Sequence, residues 1–249
     1  MFSLLLSCAP GQADLLTAEL WDAGTLGIVE EPGGLRAFFD GQAAGLLERF
    51  AAYQPVYAPA PDTAWEEQTK KSFPPVEIGE RFFLVPSWNT ENTPAGRVRL
   101  VIEPGMACGT GWHPCTQLCL EAMEKHLRPG DAVFDVGSGS GILSEAARLL
   151  GARRVIGCDV DEESVRAAKE RILTPVFAGS ASAVRGGWAD IVVANISSAA
   201  AEELEEDLKR AGKARATQIL SGFEADDLPR LSFEVRERRQ RDGWVCLVC

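Results

Sequence analysis

Three glycines and two aspartates fall close together in Val133-Phe134-Asp135-Val136-Gly137-Ser138-Gly139-Ser140-Gly141-Ile142 and, further on, Cys158-Asp159. The G-x-G-x-G spacing places a tight turn between an apolar run and a helix-like run. A dinucleotide fingerprint would carry its third glycine at position 142, which is Ile142. Asp135 stands two residues before the turn, where a carboxylate would repel a pyrophosphate seated on a helix amino terminus. The same carboxylate favours a ligand bearing an amino group. Asp159 ends the next apolar run, where an acid accepts hydrogen bonds from ribose hydroxyls. A nucleoside with an ammonium, a ribose and no phosphate is S-adenosylmethionine, whose sulfonium adds a second positive charge. Asp135, Gly137, Ser138, Gly139, Gly141 and Asp159 are therefore the expected cofactor-binding set. Asn195 ends a later apolar run, and its side-chain oxygen can orient a nitrogen lone pair. It can also serve only to cap a helix starting at Ser197 or Ser198.

These residues need a scaffold of strands ending at one edge. From Ala132 onward the pattern alternates strand and helix, which signals a parallel sheet with crossovers. The expected strands are Ala132–Val136, Arg154–Asp159, Pro175–Ala178, Asp190–Asn195 and Thr217–Gly222. Phe233–Arg241 and Trp244–Cys249 flank Asp242-Gly243, a strong hairpin signal, so the sheet ends in an antiparallel pair. That ending is usual for a class I methyltransferase sheet. Upstream, Arg81–Trp88 and Arg97–Glu103 read as strands and His113–Leu127 as a helix. Residues 1–60 alternate as strand, helix, strand, strand, helix, strand, with a turn at Pro32-Gly33-Gly34, which is a ferredoxin-like split unit. Residues 61–75 read as a linker and 76–249 as the cofactor-binding domain. The fold class is α/β with a small α+β domain in front.

The 249 residues carry a formal net charge of −11, which disfavours direct binding to a nucleic-acid backbone. Within residues 1–60, seven acids face only Arg36 and Arg49, a net charge of −5 that suits a basic protein partner. The arginine-rich run Arg236–Arg241 reads as a solvated hairpin face. No run of eighteen apolar residues suggests a membrane span. The opening MFSLLLSCAP lacks a basic segment and runs into a helix pattern, so it does not read as a signal peptide. Seven scattered cysteines suit reduced thiols in a cytoplasmic protein. Cys108, Cys115 and Cys119 lie near His113 without a standard zinc spacing, and Cys246 and Cys249 sit in an apolar strand.

Two further stretches narrow the reading. They are Glu103-Pro104-Gly105-Met106-Ala107-Cys108-Gly109-Thr110-Gly111-Trp112-His113-Pro114-Cys115-Thr116 and Ala189-Asp190-Ile191-Val192-Val193-Ala194-Asn195-Ile196. With FPPVEIGERFFLVPSW and WDAGTLGIVEE, they resemble the large-subunit ribosomal protein eleven methyltransferases (PrmA type). The resemblance implies a class I S-adenosylmethionine-dependent methyltransferase that modifies lysine or other amino groups of a ribosomal protein, with residues 1–60 presenting that substrate. It adds Thr110, Thr116 and Asn195 to the cofactor contacts, and Asn195, Ile196 and His113 as catalytic candidates. The chain departs from the family pattern at Cys108, where Phe is usual, at Cys115, where Thr is usual, and in a short segment between Asp161 and Asp190. Other readings are a lysine methyltransferase for another protein, such as the electron-transfer flavoprotein β subunit, and a cofactor-binding module without catalysis. A nicotinamide-dependent dehydrogenase is a more distant alternative.

Overall fold

The computed structural model describes residues 2–9, 12–40, 44–59, 71–103 and 111–249. The chain divides into two compact units, Met1–Phe73 and Pro74–Cys249.

The first unit runs β1 (Phe2–Ser7), α1 (Ala13–Asp22), β2 (Gly27–Glu31), β3 (Gly34–Phe39), α2 (Ala44–Arg49) and β4 (Val56–Pro59). Its sheet has the order β2-β3-β1-β4, and all three pairings are antiparallel. Phe2, Leu4 and Leu6 stand opposite Phe39, Ala37 and Leu35, so alternate residues of both strands share a face. That face is buried with Leu16, Leu20 and Phe50. The second helix, which the apolar positions Leu46, Leu47 and Phe50 predict over Gln42–Ala52, ends at Arg49. It gives way to a 3₁₀ turn at Ala51–Tyr53, and Gln42 lies outside the described residues.

The second unit opens with a small sheet of β5 (Val76–Ile78), β6 (Phe82–Pro86) and β7 (Val98–Ile102), in which β6 and β7 run parallel. After α3 (Pro114–His126) come β8 (Ala132–Val136), α4 (Ile142–Leu149), β9 (Arg154–Asp159), α5 (Glu162–Arg171), β10 (Val176–Ala178) and β11 (Ala189–Asn195). The chain continues through α6 (Ser198–Glu203), α7 (Glu205–Ala211), β12 (Gly212–Glu224), β13 (Glu237–Arg241) and β14 (Trp244–Val248). The seven-stranded sheet has the order β10-β9-β8-β11-β12-β14-β13. It is parallel from β10 to β12, and β14 then pairs antiparallel with both β12 and β13. Asp242 and Gly243 both have positive φ, as a two-residue hairpin turn of this hand requires.

Side-chain alternation splits the core into two layers. Val133, Ile191, Val193 and Ile219 pack with Leu118, Ala122 and Met123 of α3 and with Leu143 and Ala147 of α4. Phe134, Val136, Val192, Ala194 and Leu220 face the other way, onto Leu208 and Ala211 of α7. This period of two also sets the facing of the polar residues within the strands. Asp135 stands opposite Val193, and Asn195 follows Val193 by two, so both belong to the α3/α4 face. Among the described residues no helix is long and apolar enough to cross a membrane.

Candidate functional site

Asp135 interrupts an apolar row and is only 1% exposed. Its Oδ2 accepts a hydrogen bond from Ser144 Oγ at 2.7 Å, in the first turn of α4. Its Oδ1 is buried with no partner among the described residues. Burial, the largest cause, pushes the carboxyl up to about 6; hydrogen bonds from Ser144 oppose that rise and the Asp159 charge adds to it. A buried carboxylate with a free oxygen is costly unless a donor or cation meets it.

The turn after β8 is tied to β9. Gly137 N and Ser138 N both donate to Cys158 O at 2.9 Å, and Gly141 N donates to Ser138 O at 2.7 Å. Gly139 N donates to Asp159 Oδ2 at 2.8 Å, and Asp161 N to Asp159 Oδ1 at 3.0 Å. Each Asp159 oxygen thus retains a lone pair for a further donor. Gly137 has φ of 70°, and a Cβ there would lie 2.5 Å from Ile196 Cγ2, so only glycine fits. The hydroxyl of Ser138 is buried without a partner among the described residues, and Ser140 is also buried.

A second group gathers at the end of β11. Asn195 Nδ2 donates to Thr116 Oγ1 at 3.1 Å, which sets the orientation of the amide. Asn195 Oδ1 is then left buried and unpartnered among the described residues. The helix cap at the start of α6 is Ser197, whose hydroxyl accepts from Ala200 N, so Asn195 does not perform that task. Ile196 N donates to Ser221 O at 2.9 Å, and the Ile196 side chain covers Gly137. His113 immediately precedes α3, and its Nδ1 lies 2.7 Å from Cys115 Sγ. Its ring meets Trp244 edge to face, with centroids 4.4 Å apart. Partial burial lowers the His113 pKa, which keeps the imidazole neutral at pH 7. Cys115 is buried and its pKa is raised by that burial, against hydrogen bonds from Asn195 and Thr116. Cys119 and Cys246 are fully buried in the α3-side core. The Cys119 thiol is raised well above its ordinary value, first by its hydrogen bond with Cys246 and then by burial. These thiols are packing groups rather than nucleophiles.

The structure therefore brings together Asp135, Gly137, Ser138, Gly139, Gly141 and Asp159 around one turn, and Thr116, His113, Asn195 and Ile196 around the end of the neighbouring strand. Thr110 and Cys108 lie outside the described residues, whereas Gly111 lies within them and packs against Leu84 and Ile142. Ser144 and Trp244 were missed from the sequence. Ser144 carried a faint signal, as a small polar residue on the apolar side of a short helix. Nothing in the sequence links Trp244 to His113. Strand β10, from the short segment after Asp161, is three residues long and pairs with Gly157, Cys158 and Asp159. Among the described residues no three His, Cys, Asp or Glu side chains are grouped to hold a metal ion.

The model of one protein family, ribosomal protein L11 methyltransferase (PrmA), matches residues 45–249. The chain belongs to the ribosomal protein L11 methyltransferase family. It is 36% identical over 202 residues to the ribosomal protein L11 methyltransferase of Listeria monocytogenes serotype 4b, covering 75% of this chain and 64% of the relative. It is 38% identical over 193 residues to the enzyme of that name from Burkholderia ambifaria, covering 74% and 64%. The chain thus spans about 64% of the length of these curated relatives. A crystal structure of ribosomal protein L11 methylase from Lactobacillus delbrueckii subsp. bulgaricus superposes with a TM-score of 0.62 at 28% identity, covering 69% of this chain and 94% of that one. The second unit has the class I methyltransferase fold that this family shares.

Proposed function

We propose that the chain is an S-adenosylmethionine-dependent protein methyltransferase acting on lysine or other amino groups of a ribosomal large-subunit protein, with L11, the protein named for its relatives, as the substrate. The observation that carries this reading is a pair of buried, unpartnered oxygens, Asp135 Oδ1 and Asn195 Oδ1, on one face of adjacent strands. The first suits a cation and the second suits an amine N–H. A pyrophosphate would have no reason to sit beside the first.

The residues present fit the cofactor. Asp135 would take its ammonium, Asp159 its ribose hydroxyls, and the Gly137–Gly141 turn its close approach, with Thr116 nearby. When bound, S-adenosylmethionine supplies an electrophilic methyl group on a sulfonium. The protein's work is then mainly positioning. A lysine ammonium has an ordinary pKa of about 10.4 and must lose a proton before it can attack. A crevice that removes water favours the neutral amine. Asn195 Oδ1 accepts one amine N–H and so aims the lone pair, and Thr116 holds Asn195 in that orientation. Ile196 walls the turn, and neutral His113 borders the site. A ribosomal protein substrate implies a cytoplasmic reaction, and the acidic first unit is suited to present a basic protein.

The test is methyl transfer from labelled cofactor to purified L11 and to whole-cell lysate. The wild-type chain labels L11, and Asn195→Ala lowers turnover by about 100-fold, as expected when a group that orients the reacting atom is lost. Near-normal turnover in the variant would remove Asn195 from the mechanism. A different labelled band would reassign the substrate.

A further inference from the structure

We infer that Cys115 is a positioning residue for methyl transfer: its thiol donates to His113 Nδ1 and thereby holds the Asn195 amide with Oδ1 turned toward the incoming amine. The inference rests on the role proposed above for Asn195 Oδ1 as the acceptor for that amine. It gives work to a thiol that takes no part as a nucleophile.

Cys115 lies in the first turn of α3, beside Thr116 and two residues after His113. Its Sγ is 2.7 Å from His113 Nδ1. Two lone pairs would repel at that distance and two hydrogens would not fit, so one hydrogen lies between the atoms. The surroundings decide which atom carries it. Cys115 is 6% exposed, and burial keeps it a thiol rather than a thiolate. The other groups directed at the sulfur are donors: the Asn195 amide, the Thr116 hydroxyl and the main-chain N–H groups of Cys115 and Thr116. The S–H is therefore left with Nδ1 as its acceptor. The imidazole is neutral, so its single N–H sits at Nε2. Trp244 meets the ring edge to face, which holds its plane.

This order of donors and acceptors passes on to Asn195. With its hydrogen directed at His113, the sulfur offers only lone pairs, and only the N–H side of an amide can face it. One Asn195 N–H already goes to Thr116 Oγ1 at 3.1 Å, and the second is free for the sulfur. A flipped amide would set Oδ1 against a sulfur with no hydrogen to give. Oδ1 therefore stays on the other side, unpartnered among the described residues and open to a substrate N–H. The same order has a consequence for His113. A ring protonated at Nε2 and accepting at Nδ1 has no lone pair left for the amine proton, so His113 acts through Cys115 and is not the base.

Nitrogen NMR of the full chain near pH 8 reads the tautomer directly. The chain has two histidines, so the signals lost in His113→Gln identify the ring. Wild-type His113 is expected with Nε2 protonated and Nδ1 bare, and a ring protonated at Nδ1 would overturn the proposal. Steady-state transfer to L11 supplies the second arm. Cys115→Val fills the place without a polar atom, and it should lower kcat about tenfold while KM for cofactor and for L11 stays within about twofold. Cys115→Thr differs from it by a hydroxyl in place of a methyl, and it should restore kcat to within about threefold of the wild type. The melting temperature of each variant reports whether it is folded. Equal kcat in folded Cys115→Val and Cys115→Thr chains, or a loss confined to KM, would also overturn the proposal. Failure of the wild type to methylate L11 would fall on the functional reading instead, and the tautomer would still decide the place of the thiol in the network.

Discussion

Asp135 is held with Oδ1 unpartnered and its carboxyl raised to about 6, mostly by burial. The ordinary value is 3.8, so between these two the unfolded chain has released a proton that the folded chain still holds. Stability therefore falls as pH rises through that window, and the loss is complete above about 6. Asp135→Asn should raise the melting temperature at pH 8 and leave it unchanged at pH 3. Cofactor binding runs the other way, because an ammonium needs the ionised carboxylate. Affinity for S-adenosylmethionine should be about tenfold weaker at pH 5 than at pH 8 in the wild type, and weak but flat with pH in Asp135→Asn. Calorimetry across that range is the check, and a flat wild-type profile would detach Asp135 from the ammonium. Asp135 and Asn195 were legible in the sequence because each is a polar residue at the carboxyl end of an apolar strand. Their unpaired oxygens were not, because that depends on Ser144 and Thr116, which reach them from separate helices.

Strand β13 is fastened to α3 through a charge cluster. Glu237 Oε2 accepts from Lys125 Nζ at 2.8 Å and His126 Nε2 at 2.9 Å, and Oε1 from Arg239 Nε at 2.7 Å. Burial alone would raise the Glu237 pKa, but these partners overcome it and bring the carboxyl down to about 2. The stabilisation is thus present above pH 4.5 and lost as pH falls toward 2. The Glu237 side chain is 21% exposed, so water screens part of the interaction. Glu237→Gln should cost about 1–2 kcal/mol at pH 7 by urea unfolding, and almost nothing near pH 2. A cost independent of pH would assign the effect to packing. The sequence read Arg236–Arg241 as a solvated face, and here the structure differs. Arg241 donates to Gln117 at 2.7 Å and to Glu121 at 2.8 Å, on the α3 row that also holds Lys125. That pairing follows from the strand order, which periodicity does not encode. The central strands and the hairpin were legible from alternation and the Asp-Gly turn. β5 was not, since three residues after Pro74-Pro75 are too few to show a period. The start of β12 at Gly212 was hidden because Lys213-Ala214-Arg215-Ala216 alternates only charged residues with alanine and has no large apolar side chain to mark a buried face.

The two units divide the proposed work. The second unit has its own two-layered core, and it contains every described candidate for cofactor binding. A chain lacking residues 1–73 should bind S-adenosylmethionine within about threefold of the full chain and fail to methylate L11. Retained transfer to L11 would show that the acidic unit is dispensable. The arrangement of the large sheet also bears on how the protein is made. β14 is its last strand along the chain, yet it lies inside, between β12 and β13. Until Trp244–Val248 has left the ribosomal tunnel, β12 presents an open edge, and its apolar Ile219 and Leu220 are uncovered on one side. The sheet closes only after those codons have been read, so a nascent chain stalled just before them is the species most exposed to wrong pairing and to chaperone capture.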